Sequence, residues 1–481
     1  MSLRFRKTLF IHRRDLRIFD NTALNQAIAQ SSEVAPLFIF DPRQVGEKNK
    51  YRSPRAVLCM VSALEELFDA YKKEGGILSI FSGEAESVLK EILRRGEIDA
   101  VFINADYTPF SKARDGNIQK LCEQYGVHFE SHHDLLLSGD PARVLTGNGT
   151  SYKVFTPFYT HVASEYEVKK PQGLSRSGVF SARALQGARH EHLAEVKHMM
   201  HAQLKKDTTN GSIGEWRAPS FALGRASGLS ILRNIHVYAR YRDTRDFPSR
   251  ETTHLSVHHK FGTLSIRESY YALKDAFGSG HVLMRQLYWR DFFTQLSHNF
   301  PHVYKGVFNK EFDGVEWTGN RKDFLRWAQG KTGFPIVDAG MRELNETGYM
   351  HNRIRMIVAS FLTKDLHINW QEGERYFAQK LLDYDPAVNN GSWQWVAGTG
   401  ADAAPYFRIF NPWIQQKKFD PECVYIKRWI PELSDIPPER IHAIEKKGVP
   451  EGCSYPEAMC EHRVETEKAK RLYKIGIKKK Y

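Results

Sequence analysis

Residues 383–395 read DYDPAVNNGSWQW, and residues 402–408 read DAAPYFR. The first stretch carries two carboxylates, two adjacent amides and two tryptophans where a purely structural segment would carry aliphatic residues. Indole is bulky, apolar and readily oxidised, so a tryptophan can pack against an aromatic redox cofactor and pass an electron to it. Paired tryptophans also occur in ordinary cores and interfaces. The rest of the sequence has to decide between these two uses.

Length and charge restrict the class of protein without choosing its function. The chain has 481 residues, enough for two or three domains with substantial cores. It carries 69 lysines and arginines against 56 aspartates and glutamates, which gives a formal net charge of +13. A basic balance suits an anionic partner such as DNA, although a solvated basic surface would give the same count.

The cysteines and the apolar runs point to the compartment. The five cysteines form no C-x-x-C pair, which disfavours zinc-ribbon sites, iron–sulfur sites and a disulfide scaffold. No apolar run reaches the roughly 18 to 20 residues that cross a bilayer, and no secretory apolar segment follows the basic N-terminus. We therefore expect an intracellular protein, cytoplasmic or associated with the nucleus or nucleoid, with no membrane attachment.

Residues 1–134 are predicted to form an α/β domain with a Rossmann-like parallel sheet. Short β-branched and aromatic runs alternate with amphipathic stretches, which is typical of βαβ units. The candidate strands are residues 9–11, 36–40, 78–81, 100–103 and 127–129. Between the second and third strands, Val57, Val61, Leu64, Phe68 and Tyr71 recur at helical spacing. An arginine-rich segment follows the first strand in place of a glycine-rich turn, which disfavours a nicotinamide dinucleotide site.

Residues 135–215 are polar and rich in glycine and proline, and we interpret them as an interdomain linker that carries some helix. Four histidines lie in this segment, namely His190, His192, His198 and His201. No acidic or thiol partner stands at ligand spacing, so a solvated helix face explains them better than a metal ion does. We assign no metal site.

From residue 216 to residue 481 the apolar period becomes helical. Val337, Met341 and Leu344 follow the i, i+4, i+7 pattern, and Ile354 and Val358 begin another such series. Strand candidates are few. The sequence therefore predicts a mainly α-helical C-terminal domain, and the stretch 383–395 lies inside it.

Six segments resemble, in order, the motifs of the DNA photolyase/cryptochrome family, in particular those of class I cyclobutane pyrimidine dimer photolyases. They are residues 12–17 (HRRDLR), 245–248 (RDFP), 288–293 (YWRDFF), 333–342 (GFPIVDAGMR), 350–355 (MHNRIR) and 383–395. One such motif would be weak evidence, but six in order over nearly the whole chain are specific. The resemblance implies a helical FAD-binding domain that holds FAD in a folded conformation. It also implies light-driven repair of pyrimidine dimers in DNA.

The resemblance assigns cofactor contacts residue by residue. They are Tyr241, Thr252, Thr253, His254, Leu255, Ser256, Arg355, Asp383, Tyr384, Asp385 and Asn389. Residues 252–256 would meet the phosphates at a helix start, although an ordinary helix cap has the same composition. Arg355 is expected to pair with one of the two aspartates through both guanidinium nitrogens. Asn389 would present a neutral amide donor to N5 of the flavin, where plant-type cryptochromes carry aspartate.

Three tryptophans match the family's electron-transfer chain, which runs between the flavin and the protein surface. They are Trp393, Trp370 and Trp317. Trp327 and Trp395 are distinguished from these three by motif alone. The resemblance counts Asn389 and Gln286, together with the three tryptophans, among the residues that act in the reaction.

The resemblance also assigns the contacts to lesion and DNA. They are Arg245, Gln286, Trp289, Arg290, Asn352, Arg353, Trp395 and Gln415. Trp289 and Trp395 would stack on the flipped lesion, and the arginines would hold phosphates without reading sequence. (6-4) photolyases and animal-type cryptochromes would carry histidines at Asn352 and Met356, so cyclobutane dimers are the expected substrate.

Gln286 departs from the family pattern, because dimer photolyases usually carry glutamate there and (6-4) enzymes carry glutamine. A carboxyl can accept from the thymine N3–H and, when protonated, donate to its carbonyl, whereas an amide does one of each without a proton change. We expect lesion binding to survive and repair efficiency to be affected.

The resemblance implies a second, light-harvesting chromophore. Residues 104–110 (NADYTPF) lack the glutamate of folate-binding dimer photolyases, so a deazaflavin or an empty site is favoured over a folate. Three functional alternatives stay open: a cryptochrome-like blue-light photoreceptor, a (6-4) photolyase and, less favoured, a flavin oxidoreductase. The expected partner is DNA that contains pyrimidine dimers, bound by a monomer.

Overall fold

The computed structural model describes residues 3–209 and 224–478. The chain divides into two compact units. The first unit comprises Met1–Gln203, Phe221–Val237 and His254–Pro301, and the second comprises Leu204–Ser220, Tyr238–Thr253 and His302–Tyr481. The predicted boundary between residues 215 and 216 lies outside the described residues.

The first unit contains a five-stranded parallel sheet. Its strands are β1 (Phe5–His12), β2 (Ser31–Phe40), β3 (Ser79–Ser82), β4 (Ala100–Asn104) and β5 (His128–His132). Their order is β3-β2-β1-β4-β5, with every pair parallel. The five candidate strands and the Rossmann-like arrangement predicted from the sequence are confirmed.

Helices follow and separate the strands, and they dominate the rest of the chain. The first twelve are α1 (Thr22–Gln30), α2 (Pro42–Val45), α3 (Pro54–Lys73), α4 (Ala85–Leu93), α5 (Pro109–Gln124), α6 (Phe155–Glu165), α7 (His192–Thr209), α8 (Arg225–Arg233), α9 (Tyr241–Thr244), α10 (Leu255–Phe261), α11 (Ile266–Phe277) and α12 (Val282–Asn299). The others are α13 (Arg321–Ala328), α14 (Pro335–Thr347), α15 (Asn352–Ser360), α16 (Trp370–Lys380), α17 (Pro386–Ala397), α18 (Pro412–Phe419), α19 (Val424–Trp429), α20 (Pro438–His442), α21 (Ile444–Lys447) and α22 (His462–Lys478). No helix in the described ranges is long and apolar enough to cross a membrane.

Local sequence explains where the longer helices of the first unit begin. Ser53 precedes α3 and accepts from the amide of Ala56 at 3.3 Å, with Pro54 as the first helical residue. Thr108 caps α5 in the same way by accepting from the amide of Ser111 at 3.1 Å. Such caps satisfy amides that have no partner within the helix.

The segment predicted as a linker contributes structure to the first unit. Residues 179–181 lie beside β2, where the amide of Val34 donates to Val179 and the amide of Ser181 donates to Val34, each at 2.9 Å. Helix α6 buries Phe155 and Phe158. In α7, Nδ1 of His192 lies 2.7 Å from Glu195, so this predicted helix-face histidine has an acidic neighbour one turn away.

The second unit is built around a helical core. Val337, Met341 and Leu344 of α14 are fully buried, as their spacing predicts. Helix α14 starts at Pro335 and ends before Gly348, whose φ of +75° is the left-handed conformation that favours glycine at this position.

The helix that follows differs from its prediction. The apolar series beginning at Ile354 continues beyond α15 into a π-helix, Phe361–Asp365, in place of a uniform α-helix. Lys364 lies in this wider turn and is buried, and its Nζ donates to the carbonyl of Ala397 at 2.8 Å. A π-turn shifts side-chain register relative to an α-helix, which apolar periodicity alone does not reveal.

Candidate functional site

Arg355 and Asp383 form the bidentate ion pair predicted from the sequence. Nη1 and Nη2 of Arg355 lie 3.2 Å and 2.9 Å from the two carboxylate oxygens of Asp383. Nε of Arg355 donates to the carbonyl of Met350 at 2.7 Å, which fixes the plane of the guanidinium. Burial by itself would lower the pKa of Arg355, but the carboxylate of Asp383 raises it above its usual value. The pair ties the start of the 383–395 stretch to α15.

A hydroxyl chain extends from this ion pair. The guanidinium of Arg355 lies 5.4 Å from the ring centroid of Tyr349, and the Tyr349 hydroxyl lies 3.0 Å from Oγ1 of Thr252. Tyr238 donates to the carbonyl of Thr252 at 3.1 Å. The structure therefore brings predicted contacts Thr252, Arg355 and Asp383 together in the second unit. Sequence reasoning missed Tyr349, although it directly precedes the 350–355 motif.

The remaining predicted cofactor contacts divide between the units. In the second unit, Tyr241 begins α9 and Thr253 is half-buried. In the first unit, α10 starts at Leu255 and its first turn includes exposed Ser256. His254 precedes α10 with a φ of +51°, so the predicted helix start is present with an unusual left-handed backbone.

Asp385 caps helix α17. Its Oδ1 accepts from the amides of Ala387 at 3.0 Å and Val388 at 3.2 Å, and Pro386 is the first helical residue. The neighbouring Tyr384 is half-buried against the core of the second unit. The two aspartates of the stretch therefore have different partners, since Asp383 binds Arg355 and Asp385 starts the helix that carries Asn389 and Trp393.

Asn389 is buried on α17 and oriented by Glu374 of α16. Its Nδ2 donates to the backbone carbonyl and to Oε1 of Glu374, both at 3.1 Å. Both hydrogen bonds that the Asn389 side chain makes to described residues come from Nδ2, which leaves its side-chain oxygen for a ligand; its contact with a flavin stays a prediction. Burial raises the pKa of Glu374 to about 7, against the opposing effect of the Asn389 amide. Glu374 was not singled out from the sequence, because its partner lies on another helix.

The three tryptophans of the expected electron-transfer chain lie in one hydrophobic cluster. Trp393 and Trp370 are each 2% exposed, and Trp317 is half-buried against the same cluster. Gly373 lets α16 approach Trp393 closely, because a Cβ at that position would lie 2.2 Å from the indole. Trp370 begins α16, three residues before this glycine. Trp327 also lies near Trp393, with ring centroids 6.3 Å apart, so proximity alone does not choose between the two neighbours.

The predicted DNA contacts of the second unit differ in exposure. Arg245 and Asn352 are exposed. Nη2 of Arg353 is held 2.7 Å from Asp246 of the 245–248 motif. The two other predicted contacts of this unit, both half-buried, are Trp395 and Gln415.

The predicted contacts of the first unit lie on α12. Gln286 is half-buried, and its Nε2 donates weakly to the carbonyl of Val282 at 3.4 Å. Trp289 is half-buried and stacks on Phe155. Arg290 differs from a surface phosphate ligand, because its side chain is 12% exposed and donates to the carbonyl of Leu135 at 2.6 Å.

A pocket in the first unit joins two of the sequence motifs. It opens at the carboxyl ends of β1 and β4, and its lining includes Arg13, Arg14, Asn104, Asp106 and Arg290. Strands β1 and β4 are neighbours at the point where strand order reverses, the crevice that binds ligands in open α/β sheets. Nη1 of Arg14 lies 3.5 Å from Asp106, and Arg13 bonds the carbonyl of Asn104. No group of three or more metal-ligating side chains occurs in residues 3–209 and 224–478.

The comparisons with known proteins agree with this geometry. Residues 8–175 match the family model of DNA photolyase, and residues 282–475 match that of the FAD binding domain of DNA photolyase. The deoxyribodipyrimidine photo-lyase of Synechococcus sp. is 34% identical over 482 residues, covering 97% of this chain and 96% of the relative. That of Escherichia coli is 36% identical over 472 residues, covering 94% and 95%. The crystal structure of an archaeal photolyase from Sulfolobus tokodaii with two FAD molecules is 41% identical, with a TM-score of 0.85 and coverage of 98% and 100%.

Fold and site together define a flavoprotein built from an α/β unit and a helical unit. The chain belongs to the DNA photolyase family, and FAD is its cofactor. The polar groups present fit that cofactor: a hydroxyl at Thr252, a half-buried guanidinium at Arg355 and the side-chain amide of Asn389, whose Nδ2 is held by Glu374.

Proposed function

We propose that this chain repairs cyclobutane pyrimidine dimers in DNA by light-driven electron transfer. The observation that carries the proposal is the shared face of α17, on which Asn389 and Trp393 lie one turn apart. A ligand that touches the free oxygen of Asn389 is therefore close to a buried, oxidisable indole. Reduced FAD supplies a light-absorbing electron donor when it is bound.

The chain's own residues would hold and supply that donor. Asn389, kept in one orientation by Glu374, would accept from a ring N–H of the bound cofactor through its oxygen. Arg355 and Asp383 hold the start of the same segment. Trp393, Trp370 and Trp317 would pass electrons inward from the surface, which is supported by the burial of Trp393 and Trp370, each 2% exposed, and by half-buried Trp317 in the same cluster.

In each unit, side chains are available for contact with a lesion that has left the duplex. Trp289 and Trp395 offer indole faces for stacking, which offsets part of the cost of unstacking the base pair. Gln286 and Asn352 offer amides to the pyrimidine edges. Arg245 and Arg353 bind phosphates. Arg290 is left out of this face, because its guanidinium is largely buried and bonded to a backbone carbonyl.

Cyclobutane dimers are the proposed substrate class. The relatives that match over nearly the whole chain carry the name deoxyribodipyrimidine photo-lyase, and Asn352 and Met356 stand where a (6-4) enzyme carries histidines. Neither the photoreceptor alternative nor the (6-4) alternative is favoured by these relatives. The test is repair of a dimer-containing oligonucleotide by the reduced holoenzyme. We expect intact thymines in the light and none in the dark, and equal results in light and dark would contradict the proposal.

A second chromophore is proposed for the pocket at β1 and β4. The related Sulfolobus tokodaii photolyase was crystallised with two FAD molecules. Arg13 and Arg14 in this pocket suit an anionic group, and the two FAD molecules of that relative favour a flavin or deazaflavin over a folate. Chromatography of the pigments released from purified protein checks this. One pigment per chain would contradict the proposal.

The oligomeric state and location are proposals as well. The five free cysteines support a reducing compartment, and we propose that the chain acts there on DNA as a monomer. Light scattering of the holoenzyme, with and without DNA, measures the oligomeric state. A stable dimer would contradict it.

A further inference from the structure

An aromatic stack stands behind Trp289. The ring of Phe155, at the start of α6, lies parallel to the indole, with ring centroids 3.7 Å apart and an interplanar angle of 6°. Phe155 is 1% exposed, whereas Trp289 is half-buried. One face of Trp289 is therefore covered by a buried ring, while the residue as a whole is only half-buried.

Further rings enclose this pair within the first unit. Phe292 meets the indole edge-on at 5.7 Å and 85°, and Phe293 lies tilted at 5.5 Å. Tyr159 continues the stack, with its ring 5.8 Å from that of Phe155 and 16° from parallel. Together with Phe155, these rings restrict rotation of the indole plane of Trp289.

The geometry is one that the surrounding packing must enforce. Free aromatic pairs prefer offset or edge-to-face arrangements to a closely superposed one. The guanidinium of Arg285 lies 5.6 Å from the centroid of Phe155 and 5.1 Å from that of Tyr159. A cation over an aromatic ring is attracted by the negative face of the ring quadrupole. Arg285 therefore helps to hold the two rings parallel.

We propose that Phe155 is a positioning residue for the lesion, because it fixes the plane of Trp289 before DNA binds. One pyrimidine of the flipped dimer then stacks on the open face, in the order Phe155, Trp289, pyrimidine. The inference rests on the proposed function, since it takes Trp289 as a lesion-stacking residue.

A Trp289 ring that is held in place favours the binding of damaged over undamaged DNA. A ring that is ordered beforehand loses little freedom when the lesion stacks on it. Undamaged duplex keeps its bases stacked and gains nothing from the indole, so its affinity depends on phosphate contacts. Phe155 therefore contributes to the ratio of affinities for damaged and undamaged DNA and not to DNA binding in general.

The test compares two leucine variants of one helix. Phe155→Leu removes the stacked ring. Phe158→Leu removes an equally buried ring of α6 that contacts Phe292 at 5.4 Å, with no ring contact to Trp289 among the described residues. Dissociation constants are measured in the dark with holoenzyme, for a dimer-containing duplex and its undamaged twin. Phe155→Leu should lower the affinity ratio by about three- to tenfold, and Phe158→Leu should leave it unchanged although both lower the unfolding temperature.

A double-mutant cycle with Trp289→Leu assigns the effect to the indole. Phe155→Leu should change nothing further in that background. An unchanged ratio in Phe155→Leu, an equal fall in Phe158→Leu, or an undiminished effect without the indole would each overturn the inference. If Trp289→Leu itself keeps the full ratio, the lesion role of Trp289 fails and this inference fails with it. A fall for Trp289→Leu without one for Phe155→Leu overturns this inference alone.

Discussion

Nδ2 of Asn389 donates to Glu374 twice, to its backbone carbonyl and to its carboxyl Oε1, at 3.1 Å each. The two residues lie 15 positions apart on adjacent helices. This pair fixes which end of the Asn389 amide is left for a ligand, and it places a titratable group directly beside that amide. The carboxyl is 5% exposed, and burial raises its pKa to about 7 from an ordinary value of 4.5.

Glu374 should make folding stability depend on pH. Because its folded-state pKa is raised, its contribution is complete below pH 4.5 and is lost as the pH rises towards about 7. Glu374→Gln keeps an oxygen for Asn389 and cannot ionise. Chemical unfolding of the holoenzyme should show that, between pH 4.5 and about 7, the free energy of unfolding of the wild type falls by about 3 kcal/mol relative to that of the variant. Parallel profiles would mean that Glu374 ionises normally.

Glu343 provides a matched control for any effect on function. It is another carboxyl of the second unit whose pKa burial raises to about 7, and it accepts from the hydroxyl of Tyr425 at 2.5 Å. Glu343→Gln should change the pH dependence of stability in the same sense. Only Glu374→Gln should also change the pH dependence of light-driven flavin reduction. The same functional change in both variants would argue against a specific role for Glu374.

Asp383→Asn should weaken both cofactor retention and the fold. It leaves the guanidinium of Arg355 without its anionic partner in a site where the carboxylate side chain is 5% exposed and the arginine 25%. We expect the free energy of unfolding to fall by about 2 kcal/mol, which is less than the roughly 3 to 5 kcal/mol lost when a fully buried ion pair is broken. The measurement is flavin content after gel filtration, together with chemical unfolding.

Glu432→Gln is the control for that experiment. It breaks another bidentate pair of the second unit, in which Arg342 binds Glu432 at 2.6 Å and 2.9 Å. This variant should lose stability but keep its flavin. Equal flavin loss in both variants would assign the effect to general destabilisation.

Trp393→Phe should block light-driven reduction of oxidised flavin and leave repair by chemically reduced enzyme largely intact. The substitution removes the indole one turn from Asn389 and keeps an aromatic ring against Gly373. Trp327→Phe is the matched control. It removes a buried indole that donates to the carbonyl of Val358 at 3.0 Å, and should only lower stability. Transient absorption after a light pulse distinguishes the two, and loss of photoreduction in Trp327→Phe alone would move the electron route to that residue.

Gln286→Glu should raise the quantum yield of dimer repair. The amide of Gln286 cannot share a proton with the lesion, whereas a carboxyl can, and stabilising developing charge on the lesion slows the return of the electron. Lesion affinity should change by about 1 kcal/mol or less, because one hydrogen bond replaces another. Gln286→Met, which removes both polar atoms, should instead weaken binding. The measurement is the number of dimers repaired per absorbed photon in both forms. If Gln286→Glu gives no gain, Gln286 takes no part in the chemistry of the lesion.

Local patterns predicted much of the fold. The strands and α3 follow from alternation and helical spacing, and α14 is bounded by Pro335 and Gly348, which have clear backbone preferences. The π-helix at Phe361–Asp365 could not be predicted in this way, because apolar spacing continues through it. The helix Phe155–Glu165 was not located from the sequence for a different reason. Glycines and prolines around it indicated irregular structure.

The site was predictable where the sequence motifs themselves contain the interacting residues. Arg355 and Asp383 stand in two quoted motifs, and opposite charges there indicated the ion pair. Glu374 and Phe155 act through contacts made in three dimensions, with Asn389 and Trp289 respectively, and no sequence spacing announces them. Asp385 was taken as a cofactor contact, and the structure adds its local role as the cap of α17.

The central claim is tested most directly by giving reduced holoenzyme two substrates in one illuminated sample: a duplex with a cyclobutane dimer and a duplex with a (6-4) photoproduct. By the family resemblance, Asn352 and Met356 stand where (6-4) photolyases carry histidines. Chromatography should show restored thymines from the dimer, an unchanged (6-4) lesion, and neither change in the dark. Repair of the (6-4) lesion, or of neither lesion by flavin-loaded enzyme, would contradict the account.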